Sequence, residues 1–260
     1  MRVEILNPEV LENLYKNHGE FACTCYDTPM KFAEKVGQSC CKANGHMSGS
    51  RAEYIKFRLY DIDRGTAEQI MRHEIGNRYD NIDKYSSYIE QVLDVNPTNI
   101  VKNMQSFRYV DKNGFGYETP KNIQNIPEAK SIYDSTMVVI DEARNKIQDI
   151  LLENGIHKEK AIEDANFVLP RATTLTLTIA MTPEALIEFE WKRLCKRAQD
   201  EIKAVAVEIK RIVSEINPRF AKELTPHCQH LLWCPEHKGC GAYPTRTEVE
   251  EIIVNAKKGG

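Results

Sequence analysis

No sign of charge dominates this 260-residue chain, in which 35 basic residues face 38 acidic ones and the pI is near 6.2. A sequence-wide attraction to nucleic acid or to an anionic membrane is thereby excluded, so any phosphate must be met by a local cluster of cations. No apolar run approaches the roughly 20 residues of a membrane helix, and the opening Met1-Arg2-Val3-Glu4 lacks the apolar core of a signal peptide. These absences lead us to expect a soluble, cytoplasmic protein with neither nucleic acid nor membrane as partner. Eight cysteines are too few for a disulfide scaffold, and a cytoplasmic chain keeps them as thiols. Internal repeats and low-complexity segments are absent as well. The length allows one large domain or two small ones, with a proper core in either case.

What is present reads as a mixture of strands and helices. Val3, Ile5 and Leu6 begin an edge strand, and Val10, Leu14 and Tyr15 a short helix. Cys23 and Cys25 read as two small apolar side chains on a buried segment. Met30 to Val36 forms a short helix, and His46 sits in a Gly/Ser-rich loop after Cys40-Cys41. Residues 53–59 alternate Ile55, Phe57 and Leu59 with Lys56 and Arg58, the period of a half-buried strand. A capping box, Thr66-x-x-Gln69, opens a helix carrying Ile70, Met71 and Ile75. A long helix is expected from about Pro127 to Asn154, turning Ile132, Val139, Ala143, Ile147, Ile150 and Leu151 towards the core. A short helix follows at Lys158 to Ala165. Thr173 to Ile179, with β-branched residues in strict alternation, is the clearest strand. Thr182-Pro183-Glu184 then supplies an N-cap, an N1 proline and an early acid for one helix running through Leu186 to Ile216.

The polar residues gather in three places. On a helix, Gln69, Arg72 and His73 share a face at i, i+3, i+4 spacing. Asn103, Ser106 and Arg108 form a second cluster ahead of Tyr109, and Arg193 lies close to the apolar stripe of the last long helix. Arginines, histidines, an asparagine and a serine suit an anionic, hydrogen-bonding ligand better than they suit a core. Residues 77–100 break periodicity and read as a ligand lid or a surface insertion, the second being favoured. The tail gathers Cys228, Cys234, His237 and Cys240, a weak Cys3His zinc candidate beside the preferred reading of free thiols.

The order of these features resembles the flavin-dependent thymidylate synthases, the ThyX family, along most of residues 1–216. Arg72-His73-Glu74 and Asn103-Met104-Gln105-Ser106-Phe107-Arg108-Tyr109 look like the two halves of the family's signature, parted by an insertion at about 77–100. Gly45-His46, Leu169-Pro170 before a threonine-rich strand, and Arg193 ahead of Ala198-Gln199-x-Glu201-Ile202 resemble its flanking motifs. The resemblance implies an α/β (α+β) fold, with a central, mostly antiparallel sheet and long helices, assembled as a homotetramer with active sites between subunits. A catalytic domain would span 1–225 and a Cys/His-rich tail 226–260. The implied reaction is reductive methylation of dUMP to dTMP by methylenetetrahydrofolate, FAD and NADPH. Gln69, Arg72, Ser106, Arg108 and Arg193 match dUMP-binding positions, with Ser106 and Arg193 in the catalytic role. His46, Arg72, His73 and Asn103 match FAD-contacting ones. Ser106 would position or polarise the base, since no histidine or other base adjoins it in sequence to make it a nucleophile. The alternatives are a dUMP-binding homologue without FAD chemistry, serving as sensor or structural partner, and an enzyme modifying C5 of a pyrimidine nucleotide in another way.

The departures from the family pattern fall mainly on the flavin side. Glu74 and Glu184 stand where the family has arginine, and Met104, Thr182 and Glu188 where it has other polar residues. Asn166 replaces a nucleotide-binding arginine. At about 4 Å and an effective dielectric near 20, such a reversal turns about 4 kcal/mol of attraction to a pyrophosphate into comparable repulsion. Arg78, Lys84 and Arg171 are the cations expected to compensate.

Overall fold

Four strands form a small antiparallel sheet in the order β1-β2-β4-β3: β1 (Arg2–Ile5), β2 (Ile55–Asp63), β3 (Ile100–Met104) and β4 (Thr174–Met181). The structure is a computed structural model, and it describes residues 1–43, 45–73, 100–236 and 238–258. In chain order the described helices are α1 (Pro8–Glu12), α2 (Leu14–Cys25), α3 (Ala33–Cys40), α4 (Arg64–Met71), α5 (Lys121–Gln124) and α6 (Pro127–Glu153). They continue as α7 (Lys158–Ala165), α8 (Pro183–Arg193), α9 (Asp200–Ile216), α10 (His227–Leu231) and α11 (Arg246–Lys258). The mixed α/β class is as the pattern indicated. Among the described residues no helix is long and apolar enough to cross a membrane.

Contacts divide the chain into two compact units. The first comprises Met1–Glu4, Phe57–Arg72 and Lys102–Ile179, and the second the described parts of 5–56, 73–101 and 180–260. The first carries most of the sheet. Phe57, Leu59, Leu177 and Ile179 are fully buried on its central strands, with Lys56 and Arg58 exposed between, which is the alternation read from sequence. β1 is an edge strand, also as expected. A satellite cluster of Phe115, Met137 and Leu169 receives Phe107, Tyr117, Tyr133 and Ile140.

Several expectations are corrected. The N-cap of α4 is Asp63, whose carboxylate accepts from Thr66 N at 2.8 Å, so Thr66 sits inside the first turn instead of opening it. On α6 the stripe expected in the core lies outside, with Ile132 69% and Val139 62% exposed, while Met137 and Arg144 are buried. Periodicity marks an apolar face without saying what covers it. Cys23 is buried on α2 but Cys25 is exposed, so only half of the Cys-x-Cys reading holds.

In the second unit, the single helix expected over 183–216 is two, α8 and α9, separated by residues 194–199. Lys192/Lys196 and Arg193/Arg197 would stack like charges at i, i+4 in a continuous helix, whereas Asp200 and Glu201 suit a fresh N-terminus. Thr182 caps α8 as read, its hydroxyl accepting from Ala185 N at 3.2 Å. The break leaves Arg193 as the last residue of α8.

Candidate active site

The first unit holds five of the candidate residues. Gln69 lies on α4 and Arg72 at its C-cap, one turn apart and on one face. Lys102 on β3 donates from Nζ to Met71 O at 2.7 Å, which ties the end of α4 to the strand that carries Asn103. The two signature halves thus meet although residues 74–99, which include Glu74, Arg78, Lys84 and most of the expected insertion, lie outside the described residues. Asn103 and Arg72 are both exposed.

The segment after β3 is held from several directions. Gln105 N donates to Thr176 O at 2.9 Å, extending the pairing with β4. Lys112, almost fully buried, donates from Nζ to Gln105 Oε1 at 2.9 Å and to Thr174 O at 3.1 Å, and burial lowers its pKa. Phe107 turns its ring into the satellite cluster, with the Arg64 guanidinium 5.2 Å from the ring centre. With Phe107 as anchor, Ser106 and Arg108 on either side are left half-buried and exposed respectively.

Asn166 supplies the rest of the clamp. Its Nδ2 donates to Phe107 O at 2.6 Å and Val110 O at 3.0 Å, while its Oδ1 accepts from Arg144 Nε at 3.0 Å. Arg144 is 1% exposed and also donates to Asp111 Oδ1 at 2.5 Å. Asp111 keeps a lowered pKa despite partial burial, because the Asn113 N–H and Arg144 outweigh its desolvation. The residue that replaces a family arginine is therefore built into the frame of the 107–111 turn. Nothing in the sequence linked Arg144 to Asn166, because the pair joins two helical segments.

Ser106 Oγ accepts the Arg108 N–H at 3.1 Å, which uses one lone pair and leaves its O–H to donate. Arg108 Nε donates to Glu163 Oε2 at 3.2 Å, with the arginine side chain 62% exposed. An exposed pair of this kind is weak and readily exchanged for a ligand phosphate.

The second unit holds the other three. Arg193 Nη2 approaches His73 Nδ1 at 3.5 Å, and since arginine can only donate, Nδ1 is the acceptor. His73 is buried, with its ring edge-on to Phe189 at 5.1 Å between centroids. Burial lowers the pKa of Arg193, and its Nε is shut off from solvent without a hydrogen-bond partner. No carboxylate pairs with it among the described residues. His46 stands elsewhere in this unit, exposed at the head of the 3-10 turn Met47–Ala52 and edge-on to Tyr26 at 6.0 Å. His18 beneath it is buried, its pKa lowered by burial against a partly offsetting bond to the His46 backbone.

Two of the flavin-side departures, Glu184 and Thr182, have structural partners. Glu184 is buried, and Arg51 grips it with Nε at 2.6 Å from Oε2 and Nη2 at 3.3 Å from Oε1. Arg51 is thus a cation that compensates Glu184, and the sequence did not single it out because it lies 133 positions away. Arg171 is engaged inside the first unit: a Cβ built on Gly65 would come within 2.2 Å of its Nε. The Thr182 hydroxyl is taken up by the α8 cap.

In the tail, Cys228, Cys234 and Cys240 line one cavity, while His237 lies outside the described residues. Among the described residues no three metal-ligating side chains already stand as a metal site.

Over residues 16–219 the chain matches the family described as Thymidylate synthase complementing protein. It is 30% identical over 205 residues to the flavin-dependent thymidylate synthase of Nitratidesulfovibrio vulgaris, covering 78% of this chain and 74% of the relative. It is 28% identical over 218 residues to the flavin-dependent thymidylate synthase of Pyrococcus abyssi, covering 79% and 77%. That of Clostridium tetani is 28% identical over 200 residues, covering 74% and 70%.

Proposed function

The chain belongs to the thymidylate synthase complementing protein family, and on that premise we propose that it is a flavin-dependent thymidylate synthase. It methylates dUMP to dTMP with methylenetetrahydrofolate as carbon donor, FAD as cofactor and NADPH as reductant, in the cytoplasm. The observation that carries this reading is Arg193. A partly buried guanidinium whose Nε has no hydrogen-bond partner among the described residues calls for an anion, and a nucleotide phosphate accepts its fork bidentately. In the first unit Arg72 and Arg108 offer exposed charge, and Gln69 a neutral hydrogen-bonding group, at positions that match dUMP-binding ones in the family resemblance. The Ser106 O–H donates to a pyrimidine carbonyl, stabilising the negative charge which that oxygen shares with C5 when C5 acts as the nucleophile that takes up the carbon.

The donor set fits a flavin dinucleotide as well. Arg72 and Asn103 are exposed in the first unit and His46 in the second, where His73 stands beside Arg193, and one carboxylate at a flavin-side position, Glu184, is neutralised by Arg51. When bound, FAD supplies the redox chemistry that turns a folate-borne carbon into a methyl group, while the protein orients the partners. The exposed stripe Ile132, Val139, Ala143 and Ile150 on α6 supports a homotetramer, with active sites between subunits.

The test incubates the chain with dUMP, methylenetetrahydrofolate, FAD and NADPH. We expect dTMP, with dUMP affinity about tenfold to a hundredfold weaker in Arg193→Ala, as for a lost charge-assisted bond. Intact dUMP binding with no product would overturn the reading in favour of a nucleotide-binding homologue. A product other than dTMP would favour a different C5 chemistry.

A further inference from the structure

A cavity of about 480 Å³ in the second unit lies between the segment that follows α8 and the Cys/His-rich tail. One wall carries Cys195, and the other carries Cys228, Cys234 and Cys240. Half of the chain's eight thiols therefore line one space, although Cys195 belongs to a stretch of sequence far from the rest. The walls are already joined. Arg197 Nη1 donates to Lys238 O, and Trp191 at the end of α8 stacks on His227 at 4.3 Å with the rings 9° from parallel. The tail itself folds back around its sulfurs. Cys234 N donates to Pro244 O at 2.7 Å, and a Cβ on Gly239 would come within 3.4 Å of Cys234 Sγ. The chain then turns at Gly241, whose φ of +81° suits glycine.

We propose that Cys195, Cys228, Cys234 and Cys240 form a structural zinc site that staples the tail to the segment following Arg193. Four thiolates from two segments are the donor set of a closed, tetrahedral structural zinc, with each sulfur about 2.3 Å from the ion. Among the described residues no three ligating side chains yet stand around one point, so zinc binding requires the four that line this cavity to turn inward. On binding, the four thiols release their protons to solvent, and the filled site carries a charge of about −2. The same cavity is bordered by Lys192, Lys196 and Arg197, which offset that charge. The Cys228 thiol is pushed up by burial first, then by Cys234, Cys195 and Cys240, so its three counterparts are near enough to act on it electrostatically. A cation among them reverses that influence. The set differs from the tail-only set Cys228, Cys234, His237 and Cys240 by drawing its fourth ligand from beside Arg193. Its function is accordingly to hold the anion-binding arginine's segment in place.

Metal analysis of the full chain, purified without added metal and passed over a weak chelator, tests this. We expect about one zinc per chain in the wild type and in Cys25→Ser, whose thiol is exposed and distant in sequence, and less than a fifth of that in Cys195→Ser and Cys234→Ser. Since those variants can lose zinc by failing to fold, the wild-type chain is also loaded with cobalt(II). Visible bands of a tetrahedral, sulfur-rich site, with an intense thiolate charge-transfer band, are then expected. Background zinc in the wild type together with no such cobalt spectrum overturns the proposal. So does full zinc retention in Cys195→Ser, which would confine the site to the tail, or iron with acid-labile sulfide in place of zinc.

Discussion

Glu190 is fully buried on α8, and neither of its carboxylate oxygens has a hydrogen-bond partner among the described residues. Burial holds its pKa well above the usual value of 4.5, against a smaller opposing pull from Lys210. The folded chain therefore keeps a proton that the unfolded chain releases, and folding becomes less favourable as pH rises. The full contribution to stability is present below the ordinary carboxylate range and is lost as pH climbs towards the raised, folded-state value. Glu190→Gln keeps the shape and removes the titration. Its melting temperature is expected to exceed the wild type's by several degrees at about pH 8, where one kcal/mol moves a chain of this size by roughly 2–4 °C. The two should converge near pH 5. Parallel melting curves at both pH values would show that Glu190 is not the proton held. The other informative polar residues act in pairs that sequence distance conceals. Glu184 reads as an unpaired reversal of charge until Arg51 is found gripping it, and Asn166 reads as a lost arginine until Arg144 is found behind it. Each partner lies on a separate segment, so no local spacing connects them.

Elements with their own local chemistry were legible. β2 and β4 show the alternation that their burial repeats, and Thr182-Pro183 marks the start of α8 to the residue. The break between α8 and α9 was also written in the sequence, as like charges four residues apart ahead of Asp200-Glu201, but the continuing apolar stripe outweighed it. Helix crossings leave a fainter trace. α2 and α3 approach through two glycines: a Cβ on Gly19 would lie 1.7 Å from Ala33 O, and one on Gly37 would lie 1.8 Å from Tyr15 O. Neither glycine has a positive φ, so both are there for closeness and not for a turn. Gly19→Ala must push the helices apart, at a cost of about 3 kcal/mol. A fall in melting temperature of roughly 6–12 °C is expected. Because His18 on α2 lies against the His46 backbone and Gly49, amide hydrogen exchange over 46–50 should also accelerate. A melt within two degrees or so of wild type would mean that α2 and α3 can separate without penalty.

At the scale of the whole molecule, the apolar face of α6 was found by its period and assigned to the wrong neighbour. Ile132, Val139 and Ile150 recur at helical spacing, and are 69%, 62% and 49% exposed in the single chain. Spacing reports that a face is apolar. Whether the covering surface comes from the same chain or from another copy depends on assembly, which periodicity does not encode. An isolated chain in water gains nothing from a coherent stripe of this kind on a 27-residue helix, whereas burying it against other copies recovers about 25 cal/mol for each Å² of apolar surface covered. The proposed homotetramer uses the face in that way. Val139→Asp sets a charge in the middle of the stripe while leaving Met137 and Arg144, which hold the opposite side of the helix, untouched. In analytical ultracentrifugation the wild type should sediment as a tetramer and the variant as a smaller species, with its far-ultraviolet circular dichroism unchanged. If active sites form between subunits, dTMP synthesis falls together with the tetramer fraction and recovers at protein concentrations that restore assembly. A variant that stays tetrameric and fully active would remove α6 from the interface.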